Sequence, residues 1–333
     1  MTMESRKQKP FTFSALPMQV KIAGAGLLLM AASVCKTLIP VWSKRQDYSF
    51  GYLTPLFVLY VLFDRKEKIA EFFEKRREKS APIGAVSLAA DFAFGGMFAC
   101  GIATFLAFAF LFFLTQNRGV PAFTMTFALS FTIFASAYLL SGKDNAGMRP
   151  KTSERLAFVS LFVFPSFIWL IAAPLFRVVE SRVSLFLLSV VAKVVFDIMT
   201  GLGFAAELHG NTIQFPSGSI GVADACSGIR SLTACLFAGS FLAAVFFEKT
   251  WKKITLVVSS MALAFFFNLC RALFLAFWAY QNGPDSISGA VHDAAGYVIL
   301  GCTVAGLLLI GKMLNINPVP EEFRNGEKNG KAQ

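Results

Sequence analysis

Long apolar stretches dominate this 333-residue chain and are separated by short polar segments. Uncharged apolar runs of about 20 residues are typical of transmembrane helices, because a helix rising ~1.5 Å per residue needs that length to cross ~30 Å of hydrocarbon. We predict an all-α integral membrane protein in which residues 20–315 form a single polytopic domain. The eight predicted spans lie near residues 20–40, 51–64, 92–116, 122–140, 156–177, 230–247, 254–280 and 294–313.

A ninth apolar stretch, residues 183–206, differs from the others because Lys193 and Asp197 interrupt it. We predict that it forms an amphipathic helix in the membrane interface, or a re-entrant helix, and does not cross the bilayer. The segment that follows, residues 207–223, alternates in polarity and contains turn signals at Pro216-Ser217-Gly218. This pattern predicts a short extracytoplasmic hairpin.

The composition supports a lipid environment for much of the chain. Hydrophobic residues make up 56% and charged residues 15%, against roughly 45–50% and about 25% in soluble domains. The net charge of +11, from 31 Lys and Arg against 20 Asp and Glu, would favour nucleic-acid binding in a soluble protein. Because the sequence has neither an aromatic-interleaved basic stripe nor a zinc-finger or RNA-binding signature, we expect no nucleic-acid partner.

The positions of the basic residues predict the orientation instead. With the N-terminus in the cytoplasm, 21 basic residues fall in cytoplasmic segments and 5 in outer loops, as the positive-inside rule requires. Residues 1–19 are then a cytoplasmic basic tail without a cleavable signal, and residues 316–333 a disordered cytoplasmic tail. A crossing by residues 183–206 would place the basic cluster at 248–253 outside. The expected location is the plasma (inner) membrane, with lipid as a partner.

Cys226 is the first candidate for chemistry, because it lies at the start of the sixth predicted span among small and polar residues. Free backbone N–H groups at a helix N-terminus stabilise a thiolate. Arg230 follows one turn later on the same face and adds positive charge. The other five cysteines are embedded in apolar helix and are assigned no role: Cys35, Cys100, Cys235, Cys270 and Cys302.

Two further candidates come from the last two spans. Arg271 lies inside the seventh span, where an ionisable side chain is costly and is a candidate for function, and Asn268 shares its helix face. A helix-packing pair of these two is the alternative interpretation. His292 opens the last span and carries an imidazole suited to proton transfer, whereas adjacent Asp293 is expected to point away from it. His209 is interpreted as an interfacial polar residue.

Cys226, Arg271 and His292 come from three different spans, and the predicted orientation places all three on the extracytoplasmic side. A nucleophile, a positive charge and an acid–base group together are typical of cysteine acyl transfer. The catalytic part of the chain would be residues 207–300. We predict no metal site and no cofactor, since two histidines and scattered carboxylates provide no ligand spacing.

Three segments resemble the exosortase/archaeosortase family of polytopic membrane cysteine transpeptidases. They are VADACSGIRSL at 222–232, the Asn-x-x-Arg of FNLCRALF at 267–274, and the histidine that opens the last span. In addition, DYSFGYLTPLFVLYVLFDR at 47–65 is similar to the family's Tyr-Ser-His-Gly-x-Leu-x-Pro segment, with Phe50 in place of the usual histidine. The resemblance covers residues 40–315.

This resemblance implies a thiol protease or transpeptidase whose substrates are membrane-anchored proteins with a C-terminal sorting signal: a short motif, a transmembrane segment and a basic tail. It implies that Cys226 forms a thioester with the substrate, whose acyl group passes to an unidentified acceptor. Arg271 and His292 would divide oxyanion stabilisation and proton transfer between them. We add Arg230, Asn268 and Asp224 as substrate-binding or supporting residues.

A transporter, or a subunit of a polysaccharide-export system, is the alternative function. Such a protein would bind an anionic solute through the intramembrane Arg271. Transporters often contain inverted repeats and paired broken helices, and the sequence shows neither. This alternative also gives no reason for a cysteine beside Arg230.

Overall fold

The computed structural model describes residues 16–75, 85–115, 119–142, 150–174, 177–221 and 228–315. These residues are almost entirely helical, which confirms the predicted fold class. The helices are α1 (Met18–Lys44), α2 (Thr54–Asp64), α3 (Lys66–Lys75), α4 (Ala85–Thr115), α5 (Gly119–Ser141), α6 (Thr152–Ser160), α7 (Val163–Ala172), α8 (Arg177–Gly201), α9 (Gly228–Phe246), α10 (Thr250–Asn282) and α11 (Ala290–Asn315). The strands are β1 (Glu207–His209), β2 (Thr212–Phe215) and β3 (Gly218–Gly221), and short 3₁₀ helices lie at Gln46–Leu53 and Pro284–Ile287.

Seven of the described helices are long and apolar enough to cross a membrane: α1, α4, α5, α8, α9, α10 and α11. An eighth crossing is possible if α6 and α7, which meet at a bend of 42°, act as one span. The chain is therefore a multi-pass membrane protein. It divides into two compact units, Met1–Glu180 and Ser181–Gln333.

Two predicted elements differ from the structure. The second predicted span, residues 51–64, is wrong as a full span, because α2 has only 11 residues and rises about 16 Å. Conversely, α8 is a continuous helix of 25 residues, long enough to cross. Lys193 and Asp197 do not interrupt it, since they lie one turn apart and pair on an exposed face, Nζ to Oδ2 3.7 Å. The interfacial placement of this helix stays a prediction.

In the first unit, the ends of α1 and α7 lie side by side. The indole Nε1 of Trp42 donates a hydrogen bond to the carbonyl oxygen of Ala172 at 2.8 Å. Gly51, in the 3₁₀ helix before α2, packs on this indole so closely that a Cβ would lie 2.1 Å from Nε1. At the other end of α2, Arg65 donates to the carbonyl oxygen of Leu161, at the bend between α6 and α7. The short α2 therefore leads from the end of α1 to the middle of the α6–α7 pair.

The beginning of α8 is also fixed in this unit. Arg45, directly after α1, donates from Nη1 to Glu180 Oε2 at 3.1 Å, and a second bond joins Nη2 to Oε1. Hydrogen bonding to this carboxylate raises the pKa of Arg45. The guanidinium also lies 4.8 Å from the ring centroid of Tyr48. These contacts join the α1–α2 connection to the first turn of α8.

A completely buried arginine joins α4, α5 and α6. Arg155 has no exposed surface, and its Nη2 lies 2.8 Å from Asp91 Oδ1 of α4. Its Nε donates to Ser141 Oγ at 3.1 Å, and Nη2 donates to the Tyr138 carbonyl oxygen at 3.1 Å. The Arg155 guanidinium also stacks 3.9 Å from the Tyr138 ring centroid. The apolar pattern does not reveal this polar core, because Arg155 directly precedes the predicted span at 156–177.

In the second unit, the predicted hairpin is confirmed and extended to a three-stranded antiparallel meander, with strand order β1-β2-β3. The predicted turn joins β2 to β3, and Gly218 has a φ of 137°. A Cβ at Gly218 would lie 2.6 Å from Pro284 Cγ, so a side chain there has no room. Phe215 packs edge-on against Tyr280 of α10 with ring centroids 5.5 Å apart. The meander is thereby attached to the last turn of α10.

A buried apolar core connects α8, the sheet and α10 in this unit. Its members are Leu188, Val191, Ala192, Val195, Met199, Ile213, Phe215, Ile220, Ala272, Leu275, Ala276 and Ala279. Every fourth or third residue of α8 contributes, so one face of α8 is buried and the rest is exposed. This core holds the sheet at the C-terminal end of α10, next to the candidate site.

Helix α10 packs against both α9 and α11. On the α9 side, a Cβ at Gly239 would lie 2.4 Å from Ser260 Oγ. On the α11 side, a Cβ at Gly306 would lie 3.2 Å from a methyl carbon of Leu263. Small residues let helix backbones approach closely, as is common between membrane helices. Helix α10 therefore packs closely against both of its neighbours, α9 and α11.

Candidate functional site

The structure brings Arg271 and His292 into direct contact. Nη2 of Arg271 lies 2.9 Å from His292 Nε2 and 3.3 Å from the His292 carbonyl oxygen. A guanidinium has only donors, so Arg271 donates and the ring nitrogen Nε2 must accept. The imidazole is then neutral, with its proton on Nδ1. This hydrogen-bond pattern fixes both the tautomer and the ring orientation of His292.

The other ring nitrogen of His292 faces its neighbour in sequence. Nδ1 lies 3.4 Å from Asp293 Oδ1, so the expectation that Asp293 points away is wrong. Both residues lie in the first turn of α11, where their side chains are partly or largely exposed and can bend towards each other. The contact is long and therefore weak. It agrees with a proton on Nδ1, because Nδ1–H donates and the carboxylate accepts.

Gly296 of α11 lies beside the guanidinium of Arg271. It lies one turn after His292 on α11, and a Cβ there would be 3.5 Å from Arg271 Nη2 and 3.8 Å from Cζ. The guanidinium therefore faces α11 across the space that a Cβ at position 296 would occupy. Its Nε is buried and has no hydrogen-bond partner within the described residues. Arg271 thus keeps one shielded donor beside those that bind His292.

Of the predicted supporting residues, two are described. Asn268 is buried, with 5% of its surface exposed, and precedes Arg271 by one turn of α10. Arg230 is exposed in the first described turn of α9. Cys226 and Asp224 lie outside the described residues. The predicted residues that the structure places in contact are therefore Arg271 and His292.

The packing of α9 on α10 determines which residue of α10 lies level with the first residue of α9. Gly239 faces Ser260, and the two helices run antiparallel. Gly228 lies 11 residues before Gly239, and Arg271 lies 11 residues after Ser260. At ~1.5 Å per residue, Gly228 and Arg271 are therefore each ~16 Å along their helices from the contact between Gly239 and Ser260. The start of α9 is therefore level with Arg271. Cys226 lies two residues before that start in the sequence.

The remaining histidine and cysteines lie elsewhere. His209 is exposed on β1, and its Nε2 lies 3.3 Å from Glu207 Oε2. None of the cysteines in the described part of the chain forms a disulfide: Cys35, Cys100, Cys235, Cys270 and Cys302. All five lie within helices. The described residues also contain no group of three or more His, Cys, Asp or Glu that could hold a metal ion.

These features define a class of protein: a polytopic helical membrane protein with an Arg–His pair between its last two described helices. Residues 42–309 match the family described as transmembrane exosortase (Exosortase_EpsH), and the chain belongs to that family. The predicted resemblance is confirmed. A curated relative, the "Probable archaeosortase E" of Methanocaldococcus jannaschii, is 28% identical over 134 residues, which cover 38% of this chain and 68% of that protein. No solved structure shows a significant match.

Proposed function

We propose that this exosortase-family protein is a membrane cysteine transpeptidase or protease that cleaves the C-terminal sorting signal of exported, membrane-anchored proteins. The contact between Arg271 and His292 is the observation that carries this proposal. Polar side chains inside membrane helices are costly, so a paired cation and imidazole favour a functional role. Family membership points to protein substrates.

In the proposed reaction, the Cys226 thiol gives its proton to Nε2 of His292, which gives up the hydrogen bond that it accepts from Arg271 in the resting site. The thiolate then attacks the carbonyl carbon of the scissile peptide bond. A C–S bond forms, and the carbonyl electron pair moves to the oxygen, where the Arg271 guanidinium stabilises the negative charge. As the C–N bond breaks, His292 gives its proton to the leaving amine. An acceptor nucleophile, or water, then attacks the thioester carbonyl and the C–S bond breaks. The proton of the nucleophile passes to the sulfur, which restores the Cys226 thiol.

Confinement in the bilayer favours this reaction. The enzyme and a substrate anchored by one helix meet in two dimensions, which raises their effective concentration. Helices around the site limit the access of water, which would favour transfer to an acceptor over hydrolysis. The basic residues of the N-terminal tail, of the turn at 248–253 and of the C-terminal tail support a site on the extracytoplasmic side of the plasma membrane, with both termini in the cytoplasm.

Replacing Cys226 with alanine is expected to stop substrate processing, because no other group would form the thioester. The test expresses the variant with a tagged substrate that ends in a motif, a span and a basic tail, and follows the loss of the tail by electrophoresis. Cys302→Ala is the matched control, since this cysteine lies exposed within α11 and its removal should leave processing unchanged. Undiminished processing by the Cys226 variant would exclude the proposed nucleophile.

The orientation predicts which residues a membrane-impermeant thiol reagent reaches. In a chain whose own cysteines are replaced by alanine, His209→Cys on the exposed β1 should react in intact cells. Lys249→Cys, in the exposed turn between α9 and α10, should react only after the membrane is permeabilised. Mass-shift labelling measures both. The reverse pattern would place the sheet in the cytoplasm and overturn the proposed orientation.

A further inference from the structure

We propose that Gly296 is a positioning residue for Arg271. The small size of the residue at this position of α11 leaves free the space in which the guanidinium reaches both acceptors of His292. The consequences for activity rest on the proposed function, whereas the consequences for packing do not.

The distances define a size limit at this position. A Cβ at Gly296 would be 3.5 Å from Nη2 and 3.8 Å from Cζ of Arg271, which is ordinary van der Waals contact. An alanine therefore fits without movement. A longer side chain does not, because helical side chains point back towards the N-terminus, which here is the turn that carries His292. It would enter the space where Nη2 meets Nε2 and the carbonyl oxygen.

The same arrangement determines which donor of Arg271 stays available. Nη2 of the guanidinium is held by His292, and the small Gly296 leaves the space beside Nη2 and Cζ open. Nε remains buried without an acceptor in the described part of the chain. An oxygen that becomes negative during the reaction would satisfy this donor. A side chain that tilts the guanidinium would remove that alignment while leaving the charge of Arg271 unchanged.

The activity experiment compares Gly296→Ala with Gly296→Leu. We expect the alanine variant to process the tagged substrate within about 3-fold of wild type, because the contact stays ordinary. The leucine variant should lose on the order of 100-fold, like the loss of an oxyanion donor. Gly301→Leu is the matched control, because a Cβ there has no heavy atom within 4 Å. Processing by Gly296→Leu at the wild-type rate would overturn the proposal.

A stability cycle tests the same contact without relying on activity. Thermal unfolding of the detergent-solubilised protein is measured for wild type, Gly296→Leu, Arg271→Ala and the double variant. We expect Gly296→Leu to lower the melting temperature in the wild-type background and to have little effect once Arg271 is alanine, since the obstructed guanidinium is gone. Equal effects of leucine in both backgrounds would show that Gly296 does not act through Arg271. This result would stand even if the protein processed no substrate.

Discussion

Replacing Arg271 with lysine is expected to lower substrate processing by roughly 100-fold or more, although the positive charge is kept. In the structure, one nitrogen of the guanidinium donates to both His292 Nε2 and the His292 carbonyl oxygen, while Nε remains as a separate buried donor. A lysine ammonium is a single point charge on a flexible stem. It cannot bind His292 and present a second, fixed donor at the same time.

The measurement is the initial rate at which the tagged substrate loses its C-terminal tail, normalised to the amount of each variant in the membrane. Arg182→Lys is the control, because Arg182 is exposed on α8 and should tolerate the same exchange. A lysine variant of Arg271 that works within about 3-fold of wild type would mean that charge alone is needed. In that case the planar geometry of the guanidinium would have no catalytic role.

Replacing Arg155 with methionine is expected to destabilise the first unit by about 3–5 kcal/mol. The substitution removes the guanidinium that pairs with Asp91 and donates to the hydroxyl oxygen of Ser141. The carbonyl oxygen of Tyr138 loses one of its two donors and keeps the hydroxyl of Ser141. Since Arg155 is completely buried, water cannot replace these contacts easily. For a unit of this size the melting temperature should fall by roughly 6–20 °C.

Thermal unfolding in detergent checks this value, and two further variants identify its cause. Lys193→Met breaks an exposed ion pair on α8 and should cost at most about 1 kcal/mol. Adding Asp91→Leu to Arg155→Met should recover part of the lost stability, because the carboxylate that has lost its contact with Arg155 is then removed as well. A melting temperature for Arg155→Met equal to that of wild type would show that this polar core contributes nothing net to stability.

The helical elements were largely predictable, and the incorrect length of the second predicted span has a specific cause. The segment at 51–64 is as apolar as a span, yet Gly51 must pack on Trp42, and the chain before Thr54 forms a 3₁₀ helix. This packing shortens α2, and the hydrophobic pattern of the sequence does not reveal the shorter length. In α8, Lys193 and Asp197 interrupt the apolar pattern but not the helix, because they lie one turn apart and pair with each other.

At the site, the sequence placed Arg271 and His292 on adjacent spans, and the structure shows them 2.9 Å apart. Gly296 and the contact to Asp293 were not predictable with the same means. A glycine has no chemistry that draws attention to it, and its importance appears only when the guanidinium is found above it. The orientation of Asp293 depends on side-chain torsions in an exposed first turn, which sequence spacing does not specify.

The sequence by itself determined the lipid environment, the helical architecture, the family and the identity of the candidate side chains. These follow from apolar run length and from local residue order, both of which are properties of the chain alone. Only the tertiary structure decided which nitrogen of His292 accepts, which donor of Arg271 stays unused and why position 296 must be small. Those features depend on how α10 packs against α11 to within an ångström, and this packing results from contacts between residues distant in the sequence.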